Sequence, residues 1–111
     1  MSEIPYIGNE LDLFEQATVW KNYYGHFLKP YLKGKVLEVG AGIGGTTSVL
    51  CDGIQEKWLC LEPDPGLYAR LETKRQNGQL PSCCYSIKGT TRDVPASEKF
   101  NAIIYIDVIE H

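Results

Sequence analysis

Glu38, Gly40, Gly42 and Gly44 occupy alternate positions in the stretch Val36-Leu37-Glu38-Val39-Gly40-Ala41-Gly42-Ile43-Gly44-Gly45-Thr46-Thr47. An apolar run enters this stretch, glycines fill its middle, and helix-compatible residues leave it. Glycine has no Cβ and takes positive φ at little cost, so such a turn lets a ligand lie against bare backbone at Gly40, Ala41, Gly42 and Gly44. The helix predicted to follow offers unpaired N–H groups and the positive end of its dipole. Glu38 brings a carboxylate to the same place. A ligand with a cationic or hydroxyl-bearing end suits that combination better than a bare phosphate. The pattern predicts a cofactor-binding turn.

The elements around the turn follow from periodicity. Residues 10–32 show apolar positions at approximate helical spacing, interrupted by Gly25 and Pro30, which predicts two or three short helices. Strands are expected at 35–39 and 57–61, the second a nearly continuous apolar run of the kind a parallel strand needs when both its faces are covered. Helices are expected over 44–52 and from Leu67 to the Asn77-Gly78 stop signal. A weaker strand is expected at 82–87, then a polar loop over 88–99, then a β-branched strand at 100–107. This alternation predicts an α/β fold on a parallel sheet.

Composition narrows the class. The chain has 111 residues, enough for one domain, and 43% of them are hydrophobic, which is globular composition. A net charge of −3 argues against a nucleic-acid backbone as partner. No apolar run approaches a membrane span, and the N-terminus lacks the basic and apolar regions of a signal peptide, so the expected location is the cytoplasm. The four cysteines, at 51, 60, 83 and 84, show neither C-x-x-C spacing nor a histidine cluster, and zinc is not expected. They read as reduced structural thiols, with Cys83 and Cys84 on opposite faces of a strand.

Two cofactor classes fit the spacing of the glycines. Gly40, Gly42 and Gly45 satisfy G-x-G-x-x-G, and Glu62 falls 22 residues after Gly40, as in an NAD-type dinucleotide fold. Four motifs in register favour another family. Glu38 extends the glycines to E-x-G-x-G-x-G; Leu59-Cys60-Leu61-Glu62-Pro63-Asp64 ends in an acid; Gly89-Thr90-Thr91-Arg92-Asp93-Val94-Pro95 forms a loop; Phe100 to His111 closes on Asp107-Val108-Ile109-Glu110-His111. In these motifs the chain resembles the class I S-adenosylmethionine-dependent methyltransferases, of the type 11/12 kind, from about Trp20 to His111.

The resemblance implies a Rossmann-like parallel sheet in the order 3-2-1-4 with flanking helices, truncated after the fourth strand. It implies an N-terminal helical cap over 1–34 and a cofactor-binding half-domain over 35–111. S-adenosyl-L-methionine is the implied cofactor. Glu38 would serve its methionine end, and Glu62, with Pro63 beside it, would accept from the ribose hydroxyls. Thr90 and Thr91 would lie at the adenine, although this family often has Asp where Thr90 stands. Asp93 is expected to turn or cap that loop, and Asp107 to line the pocket. Some relatives bind a divalent metal at the strand exit, but the reading favours no metal at Asp107, Glu110 and His111. Trp20 and Tyr24 are the aromatic candidates for ligand contact.

The chain ends just after an apolar strand, which predicts the front half of a larger domain. The methyl acceptor, small molecule or macromolecule, and any catalytic residue are unspecified. Two alternatives stay open at this point: an NAD-type oxidoreductase half-domain, and a non-catalytic module that assembles as a homo-oligomer along the 100–107 edge.

Overall fold

Val36, Leu37 and Glu38 are buried in succession, and so are Trp58, Leu59, Cys60 and Leu61. Consecutive burial marks strands covered on both faces, and these two lie at the centre of the sheet. The computed structural model describes residues 26–105. Within them run β1 (Lys35–Val39), α1 (Gly45–Leu50), β2 (Lys57–Leu61), α2 (Pro65–Gln76), β3 (Cys84–Ile87) and β4 (Ala102–Ile104). All pairings are parallel, in the order β3-β2-β1-β4, as the sequence predicts. Residues 26–28 are helical and lead into a 3-10 turn at Lys29–Tyr31, where Pro30 ends the helical pattern.

Side chains alternate across the sheet. Val36, Trp58, Cys60 and Cys84 face one core with Leu50, Leu71 and Leu80. Leu37, Leu59 and Leu61 face the other, with Val94 and Phe100 packed against them. Both helices lie on the first face. The crossovers β1-to-β2 and β2-to-β3 run the same way across the sheet, and their common handedness puts both helices on one side. The β3-to-β4 connection carries only a 3-10 turn, Thr91–Asp93. Among the described residues the second face is therefore covered by loop residues alone, and Tyr85, Ile103 and Tyr105 on or beside it are exposed.

Local chemistry sets the helix ends. Asp64 caps α2, its Oδ2 accepting from Leu67 N at 2.9 Å, and Pro65 opens the first turn. Gly78, at φ 77°, ends it. The Arg75 guanidinium clamps Glu72 at 2.9 Å, and Ser86 Oγ donates to the same carboxylate, joining α2 to β3. At the opposite edge Asn101 ties β4 to β1: its Oδ1 accepts from Lys35 N at 2.8 Å and its N–H donates to Lys35 O at 2.7 Å. An added Cβ at Gly34 would strike the Asn101 amide, so that turn requires glycine.

Two expectations need correction. The third strand begins at Cys84 and not at Ser82, because Cys84 N donates to Pro81 O at 3.0 Å and folds 82–83 into a turn. Cys83 and Cys84 are consequently not strand neighbours on opposite faces. The described part of the fourth strand spans only Ala102–Ile104, and Ile103 is 53% exposed where burial was expected. The predicted helices upstream of residue 26, with Trp20 and Tyr24, lie outside the described residues.

The Glu72 carboxyl is held below its ordinary value of 4.5 by its hydrogen bonds to Arg75. A depressed folded-state value contributes stability that is complete above the unfolded value and is lost as pH falls through the folded one. Glu72→Gln should therefore flatten the loss of stability below about pH 4.5 and change the pH dependence near neutrality very little. Urea midpoints measured across that range check this.

Candidate functional site

The sheet order makes β1 the point where the chain reverses direction: from β1 the chain moves to β2 on one side, and later arrives at β4 on the other. In open parallel sheets the crevice beyond the strand ends at such a point is where ligands bind. The glycine turn leaves β1 at this crevice. Gly40, Gly42 and Gly44 take φ of 74°, 62° and 92°, values that a side chain opposes. They serve different ends. A Cβ added at Gly42 would meet nothing within 4 Å, so the backbone there borders open space. One at Gly44 would come within 3.1 Å of Leu71 Cδ1, so Gly44 allows α1 to pack on α2.

Four N–H groups of the turn have protein acceptors. Gly40 N and Ala41 N both donate to Leu61 O, at 2.9 and 2.8 Å, and Gly44 N donates to Ala41 O at 3.1 Å. Gly42 N donates to Glu62 Oε1 at 2.7 Å. The end of β2 takes up three of these donors, from Gly40, Ala41 and Gly42. Ala41 is buried in the core, and α1 has only six residues, too short for a strong dipole. The turn presents bare backbone at Gly42, with the N–H groups of Gly40, Ala41, Gly42 and Gly44 already engaged.

The two acids have separated roles. Glu62 ends β2 at the rim of the crevice and is 6% exposed. Its second oxygen accepts from Asp64 N at 2.9 Å, so each oxygen holds one backbone N–H and keeps further acceptor capacity. Pro63 beside it is exposed. Glu38 points into the protein and is 1% exposed. Its Oε1 accepts from Thr47 Oγ1 at 2.6 Å and from Trp58 Nε1 at 3.0 Å, linking β1 to α1 and β2.

The loop after β3 lies against the same rim. Glu62 N donates to Ile87 O, and Gly89 N donates back to Glu62 O, each at 3.1 Å. An added Cβ at Gly89 would collide with the Asp93 carboxylate. Thr90 and Asp93 form a reciprocal cap, with Thr90 N donating to Asp93 Oδ2 at 2.8 Å and Arg92 N to Thr90 Oγ1 at 3.3 Å. Thr91 is exposed at the start of the 3-10 turn. Glu62, Gly42 and the 89–91 loop thus converge, while Glu38 and Ala41 support them from within. Asp107, Glu110 and His111 lie outside the described residues.

Trp58 is a site residue that sequence reasoning assigned only to a strand. Its indole N–H needed a buried acceptor, and Glu38, 20 positions away, is that acceptor. A tryptophan in an otherwise aliphatic strand was the available signal.

Searches for relatives give one kind of result. No family model matches the sequence, and no curated protein is similar enough to count as a relative. Solved structures do match. The glycopeptide N-methyltransferase MtfA aligns with a TM-score of 0.64 at 19% identity, over 82% of this chain and 44% of that one. Its complex with (S)-adenosyl-L-methionine gives a TM-score of 0.64 at 19% identity, over 85% and 42%. The tRNA (m1A58) methyltransferase TrmI from Aquifex aeolicus gives 0.57 at 21% identity, over 72% and 33%. These likenesses establish the fold: the described residues form a Rossmann-like parallel sheet like the one in those methyltransferase structures. The chain spans less than half the length of each of these proteins.

Replacing Trp58 by Phe keeps the ring but removes a donor from a buried carboxylate. The expected cost is about 1–3 kcal/mol of folding stability. It should appear as a lower urea midpoint with an unchanged slope.

Proposed function

We propose that this chain forms the S-adenosyl-L-methionine-binding portion of a methyltransferase. The observation that carries the reading is the state of the glycine turn. The N–H groups of Gly40, Ala41, Gly42 and Gly44 are engaged by protein acceptors, and a carboxylate stands at the turn. A dinucleotide cofactor draws on free N–H donors for its pyrophosphate, and these four are already engaged. S-adenosylmethionine has no phosphate, and its ribose diol offers donors that a carboxylate accepts. The fold shared with methyltransferases supports the same choice over the NAD-type alternative.

In this reading Glu62 accepts from the two ribose hydroxyls through its remaining lone pairs, held at the right angle by Gly42 N and Asp64 N. Pro63 forms the adjoining wall. Gly40 and Gly42 let the backbone come close to the methionine half. Thr91 N–H serves an adenine ring nitrogen, while Thr90 shapes the loop through its cap with Asp93. Glu38 is a positioning residue that sets the turn by holding Thr47 and Trp58. Asp107 is assigned to the cofactor by the family resemblance alone and lies outside the described residues. The cofactor supplies an electrophilic methyl group, and the protein supplies position and exclusion of water. All four cysteines are free, which supports a cytoplasmic setting. Among the described residues no helix is long and apolar enough to cross a membrane.

Calorimetric titration with S-adenosylhomocysteine, with NAD in parallel, tests the assignment. Saturable binding of the homocysteine compound is expected, with no heat from NAD. Glu62→Ala should weaken it at least about tenfold, the worth of one charge-assisted hydrogen bond or more. Binding of NAD alone, or of neither compound, overturns the reading.

A further inference from the structure

Cys51, Cys83 and Cys84 come from distant parts of the chain, yet their sulfurs converge. Cys51 caps the C-terminal end of α1. Cys83 closes the turn before β3, and Cys84 is the first residue of that strand. Cys51 Sγ lies 3.5 Å from Cys83 Sγ and 3.6 Å from Cys84 Sγ, and all three sulfurs fall within 4.8 Å of one another. The turn makes this convergence possible. Trp58 N donates to Cys83 O at 2.9 Å and Cys84 N to Pro81 O at 3.0 Å, so both thiols of the adjacent pair reach the same neighbour. Cys51 and Cys84 are buried, whereas Cys83 is partly exposed and gives the cluster an opening to solvent.

We propose that these three cysteines form a site for one thiophilic d10 cation, Cu(I) or Zn(II), bound through three thiolates. Metal–sulfur bonds of about 2.3 Å in a trigonal arrangement put the sulfurs about 4 Å apart, within the span this cluster already shows. A disulfide uses two sulfurs and leaves the third without a role; an S3 site uses all of them. Among the described residues no His, Asp or Glu joins the cluster. An all-sulfur donor set selects soft cations and disfavours magnesium, calcium or manganese. In the metal-free thiol form Cys51 Sγ donates to Gln55 Oε1 at 3.5 Å, a bond given up on deprotonation, while Gln55 Nε2 donates to Leu32 O at 2.7 Å. The two cations differ in one requirement: Cu(I) is content with three sulfurs, while Zn(II) adds a water on the Cys83 side. Each thiol gives up its proton to solvent as the metal–sulfur bond forms.

The site lies at the amino end of β3, three residue steps or about 10 Å from the crevice end of the sheet. A bound cation would staple the tail of α1 to the start of β3. Its test is independent of the methyltransferase reading.

The experiment is titration of the reduced full chain with Zn(II) against a chromophoric chelator, and anaerobically with Cu(I) against bicinchoninate. One equivalent per chain is expected for at least one cation, with a thiolate-to-metal charge-transfer band and a raised thermal midpoint. Binding of Cu(I) alone assigns a trigonal copper site; binding of Zn(II) assigns the water-completed form. Cys83→Ser, at the partly exposed position, should weaken binding at least tenfold, and Cys51→Ser should do the same. Cys60→Ser should bind as the parent does. The proposal is overturned if neither cation binds stoichiometrically, if Cys83→Ser binds unchanged, or if Cys60→Ser loses binding equally. Circular dichroism of each variant separates lost ligands from lost fold, and Cys83→Ser decides the question if Cys51→Ser does not fold.

Discussion

A carboxylate 1% exposed at the centre of a sheet must find its donors inside the protein, and Glu38 finds them on two other elements. Stripping a carboxyl of water costs several kcal/mol unless hydrogen bonds replace the lost solvent. Thr47 and Trp58 can supply them only when α1 and β2 both stand in their native positions beside β1. The requirement therefore acts on arrangement more than on net stability, since a well-packed apolar residue would cost less to bury. It also fixes where α1 begins, and with it the course of the glycine turn. Gly44 carries the constraint one step further, because its bare Cα lets α1 settle against Leu71 of α2.

Glu62 shows the same side chain put to a different use. It sits at the end of β2, one residue beyond the strand, with a backbone N–H on each oxygen. Those two bonds restrict its rotamer before any ligand arrives. The interior acid holds elements together, and the rim acid presents lone pairs to the crevice. Sequence spacing alone treated both as ligand-facing, because a strand pattern says that neighbours alternate but not which face is wet. The indole of Trp58 is what marks Glu38 as the inward one.

Legibility followed locality throughout. The bounds of β1 and β2 were readable, since Val36-Leu37 and Trp58-Leu59-Cys60-Leu61 are apolar runs with polar stops. The parallel order 3-2-1-4 was readable from the family resemblance, and the stop of α2 from Asn77-Gly78. The cap between Thr90 and Asp93 was half readable: Asp93 was expected to cap, and the structure adds that the Thr90 hydroxyl is its counterpart. What escaped depended on contacts between distant segments. Cys51 and Cys83 are 32 positions apart, and no spacing rule joins them. The engagement of the Gly40, Ala41 and Gly42 N–H groups escaped for the same reason, since their acceptors, Leu61 O and Glu62 Oε1, lie at the end of β2.

Asn101 and Lys35, whose two hydrogen bonds seat β4 on β1, are 66 positions apart. Closing a loop of that length costs roughly 4 kcal/mol of chain entropy before any contact repays it. During synthesis at about 5–20 residues per second, β1 leaves the ribosome roughly 3–13 seconds before its partner can. Through that interval β1 can already pair with β2, while its other side remains an open edge with unsatisfied backbone groups. One wall of the crevice is thus laid down well after the other, and the nascent chain waits for it with its central strand half dressed.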